Sequence, residues 1–267
     1  MKPHITALIL LGCSPVFCKA QETVELPFKD ASTLSLSNSR SISTAFPESS
    51  YPWKRQIVTT VFWIGERPTQ HNPVPNDKSS WDVEWVHNYG GYDNPNPKAR
   101  DQDQFTPIAV STPKQNPFYV ALPYNDVCHR GTKPEAGLVI PWFRTAFEEN
   151  GKSVCKGRWL AIRQGNTICY AQWEDVGPFS TDHWQYVFGS ERPAPNRNNG
   201  AGLDVSPAVR DYLGFKSGSA TTDWRFVEFY EVPEGPWRQH GENNIYVSHR
   251  KVAERIHDAY IRNKRSN

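Results

Sequence analysis

Two carboxylates in the C-terminal half of the chain have neighbours that suit acid–base chemistry. The first, Asp175, ends an apolar run that includes Trp173 and directly precedes the turn Val176-Gly177-Pro178-Phe179, where a side chain can face a cleft. Apolar surroundings raise the pKa of a carboxyl group and keep it protonated near neutral pH. Glycosidic cleavage needs this state, because the leaving oxygen must receive a proton. The alternative is that Asp175 accepts hydrogen bonds from the backbone of its own turn.

The second carboxylate is Asp204, which lies two residues before the Ser206-Pro207 pair. This pair predicts the start of a short helix that Gly214 ends. A carboxylate at such a position is stabilised by the helix dipole and by the free N–H groups of the first turn, so helix capping is one interpretation of Asp204. The other is that Asp204 folds back beside Asp175, where repulsion between like charges would help to keep Asp175 protonated.

Aromatic residues are abundant, and ten of them are Trp. Flat aromatic rings stack against the apolar faces of sugar rings, which predicts a glycan-binding groove, whereas core packing is the alternative for each residue. The aromatic residues that we place at this groove are Trp81, Tyr124, Trp173, Phe179 and Trp184.

Charge and motif content exclude several classes of protein. Without the first 20 residues, which contain Lys2 and Lys19, the 30 basic residues fall to 28 and equal the 28 acidic ones. A nucleic-acid-binding protein would instead carry a basic stripe. The histidines lack metal-ligand spacing, and the chain has no phosphate-binding loop, dinucleotide fingerprint or G-x-S-x-G motif. We therefore expect no metal, no cofactor and no nucleic-acid partner.

The N-terminus, residues 1–20, is predicted to be an export signal. A positive start precedes an apolar stretch at 5–17 that is too short to span a bilayer, and small residues end the segment. The run Leu10-Leu11-Gly12-Cys13 also resembles a bacterial lipobox, in which Cys13 would be lipidated. We expect a secreted or periplasmic protein, with a lipoprotein as the alternative, and no transmembrane segment after the signal.

The remaining chain predicts a Ser/Thr-rich linker at 21–52, a mainly β domain at 53–240 and a basic C-terminal helix within 241–267. Apolar and β-branched runs predict strands at 56–64, 118–122, 158–162, 167–173 and 223–229. Helices are predicted at 206–214 and 248–262, the second with an apolar stripe of Val252, Ile256 and Tyr260. Long loops at 65–80, 88–117 and 189–202 indicate functional or loosely ordered segments.

Three cysteines follow the predicted signal, and two of them flank a predicted hairpin turn at 164–166. An exported protein can keep a disulfide, so Cys155 and Cys169 are either bridged or free. Cys128 is the odd thiol.

Two segments carry a resemblance to a known family. The run Asp175-Val176-Gly177-Pro178-Phe179 resembles the N-D-R-G-P-F strand end of rare-lipoprotein-A-like double-psi β-barrels. The run Leu203-Asp204-Val205-Ser206-Pro207-Ala208, with Leu213-Gly214, resembles the I-D-L-S-x-A-A-x-x-L-G segment that follows it in that family. The segment Thr60-Val61-Phe62-Trp63-Ile64-Gly65 is similar to the opening A-S-W-Y-G strand.

The resemblance spans about residues 56–229 and implies a six-stranded double-psi β-barrel with long loop insertions. It implies an exported, monomeric protein that cleaves peptidoglycan or another wall glycan as a lytic transglycosylase, or an expansin-like module that binds the glycan without cleaving it. It assigns the acid–base role to Asp175 and the paired position to Asp204. The chain has Val176 in place of the family's Arg, and Asp126 is the candidate substitute for the His of the family's T-A-A-H segment.

Overall fold

The computed structural model describes residues 51–70 and 72–266, with side chains up to residue 264. The predicted signal and lipobox and the linker up to residue 50 lie outside the described residues. Within this part, eight strands and six α-helices form. The strands are β1 Lys54–Val61, β2 Tyr119–Leu122, β3 Val127–Cys128, β4 Gly131–Thr132, β5 Arg158–Gln164, β6 Thr167–Val176, β7 Leu203–Val205 and β8 Ser219–Val227. The helices are α1 Trp85–Tyr89, α2 Ala136–Val139, α3 Phe143–Ala146, α4 Trp184–Val187, α5 Pro207–Leu213 and α6 Ile245–Ser266.

Six of the strands close into a barrel in the order β1-β7-β2-β6-β5-β8. The β1–β7 and β2–β6 pairs are parallel, and the other neighbours are antiparallel. Strands β3 and β4 form a separate hairpin. The predicted fold class, a mainly β six-stranded barrel with a C-terminal helix, is confirmed, and the mixed closed sheet is compatible with a double-psi barrel.

Local sequence signals position most of these elements. Strands β5 and β6 are joined by the two-residue turn Gly165-Asn166, within the hairpin predicted at 164–166. Helix α5 begins after Ser206, whose Oγ accepts the N–H of Val209, and ends at Gly214 in the left-handed conformation. Its predicted limits are confirmed. Helix α6 is longer than the predicted 248–262, and its apolar stripe is exposed along Val252, Ile256 and Tyr260.

Two apolar clusters fill the structure. The larger cluster occupies the barrel, where Trp173 packs against the ring of Phe226 with centroids 5.9 Å apart. The smaller cluster lies where the chain leaves β1, and Phe62, Trp85 and Tyr119 form its aromatic centre. This second cluster anchors the long loop between β1 and β2 to the barrel wall.

A buried ion pair holds the same loop. The guanidinium of Arg100 contacts the carboxylate of Asp93, and both side chains are fully buried. Arg100 also donates to the carbonyl oxygen of Phe105 at 2.7 Å and, from Nε, to Asp211 Oδ2 on α5 at 3.0 Å. A fourth hydrogen bond from Arg100 goes to the carbonyl oxygen of Asn94. The guanidinium of Arg100 therefore holds the long loop predicted at 88–117 in place.

The three cysteines among the described residues are free. Cys155 and Cys169 are both buried, and Cys169 pairs with Ile162 across the β5–β6 hairpin. Because both thiols are free, the bridged alternative is not formed. In the part of the chain that the structure describes, no helix combines the length and apolar character that a membrane span requires.

Candidate active site

Strand register places Asp175 and Asp204 in one row of the barrel. Ala121 of β2 pairs with Asp175 on β6 and, on its other side, with Asp204 on β7. Thr60 of β1 continues the row beyond Asp204. Residues in register on neighbouring strands point to the same face, and a strand spacing of about 4.8 Å puts the two Asp Cα atoms about 10 Å apart. Only the small side chain of Ala121 stands between them.

A β-bulge turns Asp175 into this row. Val120 pairs with Trp173, but the next residue, Ala121, pairs with Asp175 because Glu174 is the extra residue of β6. A bulge of this kind re-aims the side chain that follows it. The indole N–H of Trp173 donates to the carbonyl oxygen of Asp175 at 2.7 Å and so holds the bulged backbone in place. The buried ring of Trp173 therefore acts as a support for the site rather than as its lining.

Both carboxylates open onto a single cleft of about 1190 Å³. The loop 66–80 that follows β1 forms one wall, and residues 197–199 and 217–219 also line the cleft. Gly177 forms part of the floor, and a Cβ at this position would lie 3.9 Å from Asp204 Oδ2. The two carboxylates thus share one groove, as acid–base chemistry on a single ligand requires.

Asp175 is almost completely buried, and its Oδ1 accepts the N–H of Ser80 from the cleft wall at 2.7 Å. Burial raises the pKa of Asp175 to about 6, against the lowering effect of the Ser80 and Val176 N–H groups. A carboxyl group with this pKa is partly protonated near neutral pH, so it can donate a proton to a ligand in the cleft. Asp175 therefore accepts hydrogen bonds both from Val176 in its own turn and from Ser80 in the loop 66–80.

Asp204 is half-buried and accepts a hydrogen bond from the hydroxyl of Thr60. Burial raises its pKa to about 7, and the negative charges of Glu66 and Asp175 contribute in the same direction. Asp204 lies within β7 and Ser206 caps α5, so the capping interpretation of Asp204 is wrong. The row of paired strands, not the helix, determines where this side chain points.

Glu66 is a third carboxylate of the cleft, and the sequence interpretation missed it. Its side chain is buried, and Oε2 accepts the amide groups of Asn72 at 3.0 Å and Asn76 at 2.9 Å. Burial raises its pKa. The available signal was its position directly after Gly65, where the predicted first strand stops. Both amide partners come from the loop 66–80, so Glu66 also fixes the shape of that wall.

Phe179 is the one predicted sugar-contacting residue that lines the cleft. Its ring is 47% exposed, which leaves an apolar face available to a ligand. The guanidinium of Arg197, which also lines the cleft, lies 5.9 Å from the centre of this ring. The backbone of Phe179 has φ of 59°, a left-handed conformation that costs energy in a bulky residue and persists only where the surroundings hold it.

The other predicted contact residues lie in the core or support it. Trp173 and Tyr124 are fully buried, and neither Trp81 nor Trp184 lines the cleft. Trp81 packs edge-on against Trp173 and donates from Nε1 to Asn125 Oδ1 at 2.8 Å, whereas Trp184 begins α4 and packs on the main cluster. For these four residues, core packing is therefore the correct interpretation and contact with a sugar in the cleft is not.

Asp126 does not line the cleft either. Its buried carboxylate accepts the hydroxyl of Ser153 at 2.6 Å and the N–H of Val154 at 2.7 Å. These bonds tie the segment before β5 to the chain after β2. Asp126 therefore has a structural environment and does not replace the family's His in the site.

A scan against protein-family models gives no match to the chain, and a search of curated proteins finds no similar sequence. Among residues 51–70 and 72–266, no three His, Cys, Asp or Glu side chains are grouped in a way that would hold a metal ion.

The raised pKa of Asp175 predicts a stability that falls with increasing pH. The ordinary Asp pKa is 3.8 and the folded value is about 6, so between these values the folded protein holds a proton that the unfolded chain has lost. The contribution is full below about pH 4 and is lost as pH rises through about 6. At about 1.4 kcal/mol per pKa unit, it amounts to at most about 3 kcal/mol.

Urea unfolding at about pH 4 and about pH 8 measures this effect. In Asp175→Asn, which cannot ionise, the free energy of unfolding should fall less between the two pH values than in the wild type. Asp258→Asn on the exposed face of α6 is the matched control. An identical pH dependence in wild type and Asp175→Asn would contradict the burial argument.

Proposed function

We propose that this protein cleaves a cell-wall glycan, with Asp175 as the acid that protonates the glycosidic oxygen. The observation that carries the proposal is the row of Asp175 and Asp204 across Ala121, open to one cleft. Burial raises the pKa of both carboxyls, which is the condition for proton donation near neutral pH. The resemblance of both segments to rare-lipoprotein-A-like barrels and the predicted export signal support peptidoglycan as the substrate.

The proposed reaction is lytic transglycosylation. Asp175 gives its proton to the glycosidic oxygen as the bond from that oxygen to the anomeric carbon breaks. The 6-hydroxyl oxygen of the same sugar then bonds to the anomeric carbon, and its proton returns to Asp175. The product is a 1,6-anhydro sugar, and the acid is regenerated without water. Where it is ionised, Glu66 contributes negative potential, which favours the positive charge that develops on the sugar ring, whereas Asp204, with a pKa of about 7, is mostly protonated at the pH where Asp175 holds its proton.

Digestion of purified peptidoglycan with the protein lacking residues 1–20 tests this proposal. We expect soluble fragments whose masses correspond to 1,6-anhydro ends. Fragments with ordinary reducing ends would indicate hydrolysis and would contradict the transglycosylase reaction. Release of no fragment at any pH between about 4 and about 8 would contradict cleavage altogether.

A non-catalytic, expansin-like glycan-binding module is the second candidate. The exposed ring of Phe179 beside Arg197 favours it, because a stacking surface and a cation bind sugar whether or not a bond is broken. Sedimentation with insoluble peptidoglycan and with chitin distinguishes the two functions. Retention on the solid without any released product supports the module, and loss of retention in Phe179→Ala would locate binding in the cleft.

A further inference from the structure

An exposed aromatic ring, that of Tyr92, lies against Gly65, the residue that precedes Glu66 of the cleft. Tyr92 packs one side of its ring directly against the backbone of Gly65, since a Cβ on Gly65 would fall 2.0 Å from Tyr92 Cδ1. Gly65 has φ of 84°, so a side chain is disfavoured there for conformational reasons as well. Tyr92 is nevertheless 65% exposed, which means that the rest of its ring faces solvent. The chain therefore exposes one face of a flat apolar ring whose other side is supported by the backbone of Gly65.

This ring lines a second cavity of about 590 Å³ that adjoins the cleft. Asp77 and Lys78 line both cavities, and both residues are exposed, so this short segment is the rim that the two cavities share. Besides Asp77 and Lys78, the polar residues that line the second cavity together with Tyr92 are Glu84, His87 and Lys114. An aromatic surface with a few polar groups around it is the usual composition of a sugar-binding subsite.

We propose that the second cavity is an additional sugar-binding subsite, with Tyr92 as its stacking surface, and that the natural ligand is a glycan chain long enough to occupy both cavities. This inference rests on the proposed function, because the cleft must bind a glycan for its neighbour to extend that glycan. Beyond that function, it assigns a minimum length to the ligand and a residue, Tyr92, that binds the extended part. A short oligosaccharide fills the cleft alone, and a longer one crosses Asp77-Lys78 to reach Tyr92.

The bracing of Tyr92 explains why this residue suits the role. Because the ring is already held against Gly65, it loses little further side-chain freedom when a sugar stacks on it. The entropy cost that would otherwise reduce the binding free energy is therefore small. The neighbouring backbone is also fixed, because the N–H of Asp93 donates to the carbonyl oxygen of Ile64 at 3.0 Å. The subsite and the cleft are consequently joined to the same stretch of chain, from Ile64 to Glu66.

Calorimetric titration with chitin oligosaccharides of increasing length, from the disaccharide upwards, tests the subsite. For the wild type, affinity should increase from a disaccharide to longer oligomers. Tyr92→Ala should lose about two- to tenfold in affinity for the long oligomers, the effect of one aromatic stacking contact, and should keep the wild-type affinity for the disaccharide. Tyr92→Phe, which keeps the ring, should behave as the wild type. Tyr260→Ala, which removes an equally exposed ring on α6, is the control.

The outcomes separate the subsite from the proposed function. Binding that does not depend on chain length, or equal affinities of Tyr92→Ala and wild type for the long oligomers, overturns the subsite and leaves the cleft's function intact. Failure of the wild-type protein to bind any of the oligomers overturns the proposed function and the subsite with it. An equal loss for the disaccharide and the long oligomers in Tyr92→Ala also overturns the subsite, since Tyr92 would then act on the cleft itself.

Discussion

Asp175→Asn should reduce glycan cleavage by about 10²–10⁴-fold, the usual contribution of a general acid, while glycan binding is retained. Asn has nearly the same shape as Asp, and its Oδ1 can still accept the N–H of Ser80 that Asp175 accepts at 2.7 Å. What it lacks is a proton that it can give to the glycosidic oxygen. The rate of fragment release from peptidoglycan, followed by mass spectrometry, measures the loss.

The pH profile and two further variants test whether the loss of activity is specific to proton donation by Asp175. Wild-type activity should decline as pH rises through about 6, because Asp175 then loses the proton it donates. Asp182→Asn, which replaces a carboxylate that is 73% exposed, should leave the rate unchanged. Asp204→Asn should lower the rate less than Asp175→Asn does. A larger loss in Asp204→Asn would exchange the roles of the two residues, and full activity in Asp175→Asn would exclude it as the acid.

Arg100→Met should lower the free energy of unfolding by about 3–5 kcal/mol, the range found when one partner of a buried ion pair is removed. The fully buried carboxylate of Asp93 would remain without its counter-charge. Burial already raises the pKa of Asp93, and Arg100 opposes this effect. The variant also loses the donors to Phe105 and Asp211, which join the loop before β2 to α5. Denaturant unfolding at neutral pH measures the change.

A second substitution isolates the buried charge as the cause. In the double variant Arg100→Met with Asp93→Asn, part of the lost stability should return, because the uncompensated carboxylate is gone and Asn can still accept from the Tyr119 hydroxyl. Arg144→Met, at an exposed position of α3, is the control for removal of one cation. A loss below about 1 kcal/mol in Arg100→Met would show that the pair contributes no more than an exposed one.

Local signals in the sequence determined the elements that carry the site. A Ser-Pro start and a glycine end limit α5, and a glycine turn joins β5 to β6, because each of these features depends on the conformational preferences of a few adjacent residues. The same locality made Asp175 and Asp204 recognisable, since each lies two residues before a signal that the sequence marks, Gly177-Pro178 after Asp175 and Ser206-Pro207 after Asp204. The barrel class followed from the strand pattern and from the resemblance of two short segments.

What only the tertiary structure decided is which of these residues meet. Strand β7 has three residues, too few for a periodic signal, yet its pairing with β1 and β2 brings Asp204 into the row of Asp175. The bulge at Glu174 turns Asp175 to that row, and a one-residue change of register would have turned it away.

The same reason explains the residues that sequence interpretation misplaced. Trp173 and Tyr124 are aromatic residues beside a predicted groove, but closure of the barrel encloses their rings. Glu66 and Tyr92 come from loops without a pattern, and packing against Asn76 and Gly65 makes them walls of the two cavities. Residue type and neighbouring turns are properties of a short segment, so the sequence specifies them. Register, closure and burial depend on contacts between distant segments, and only the folded chain fixes them.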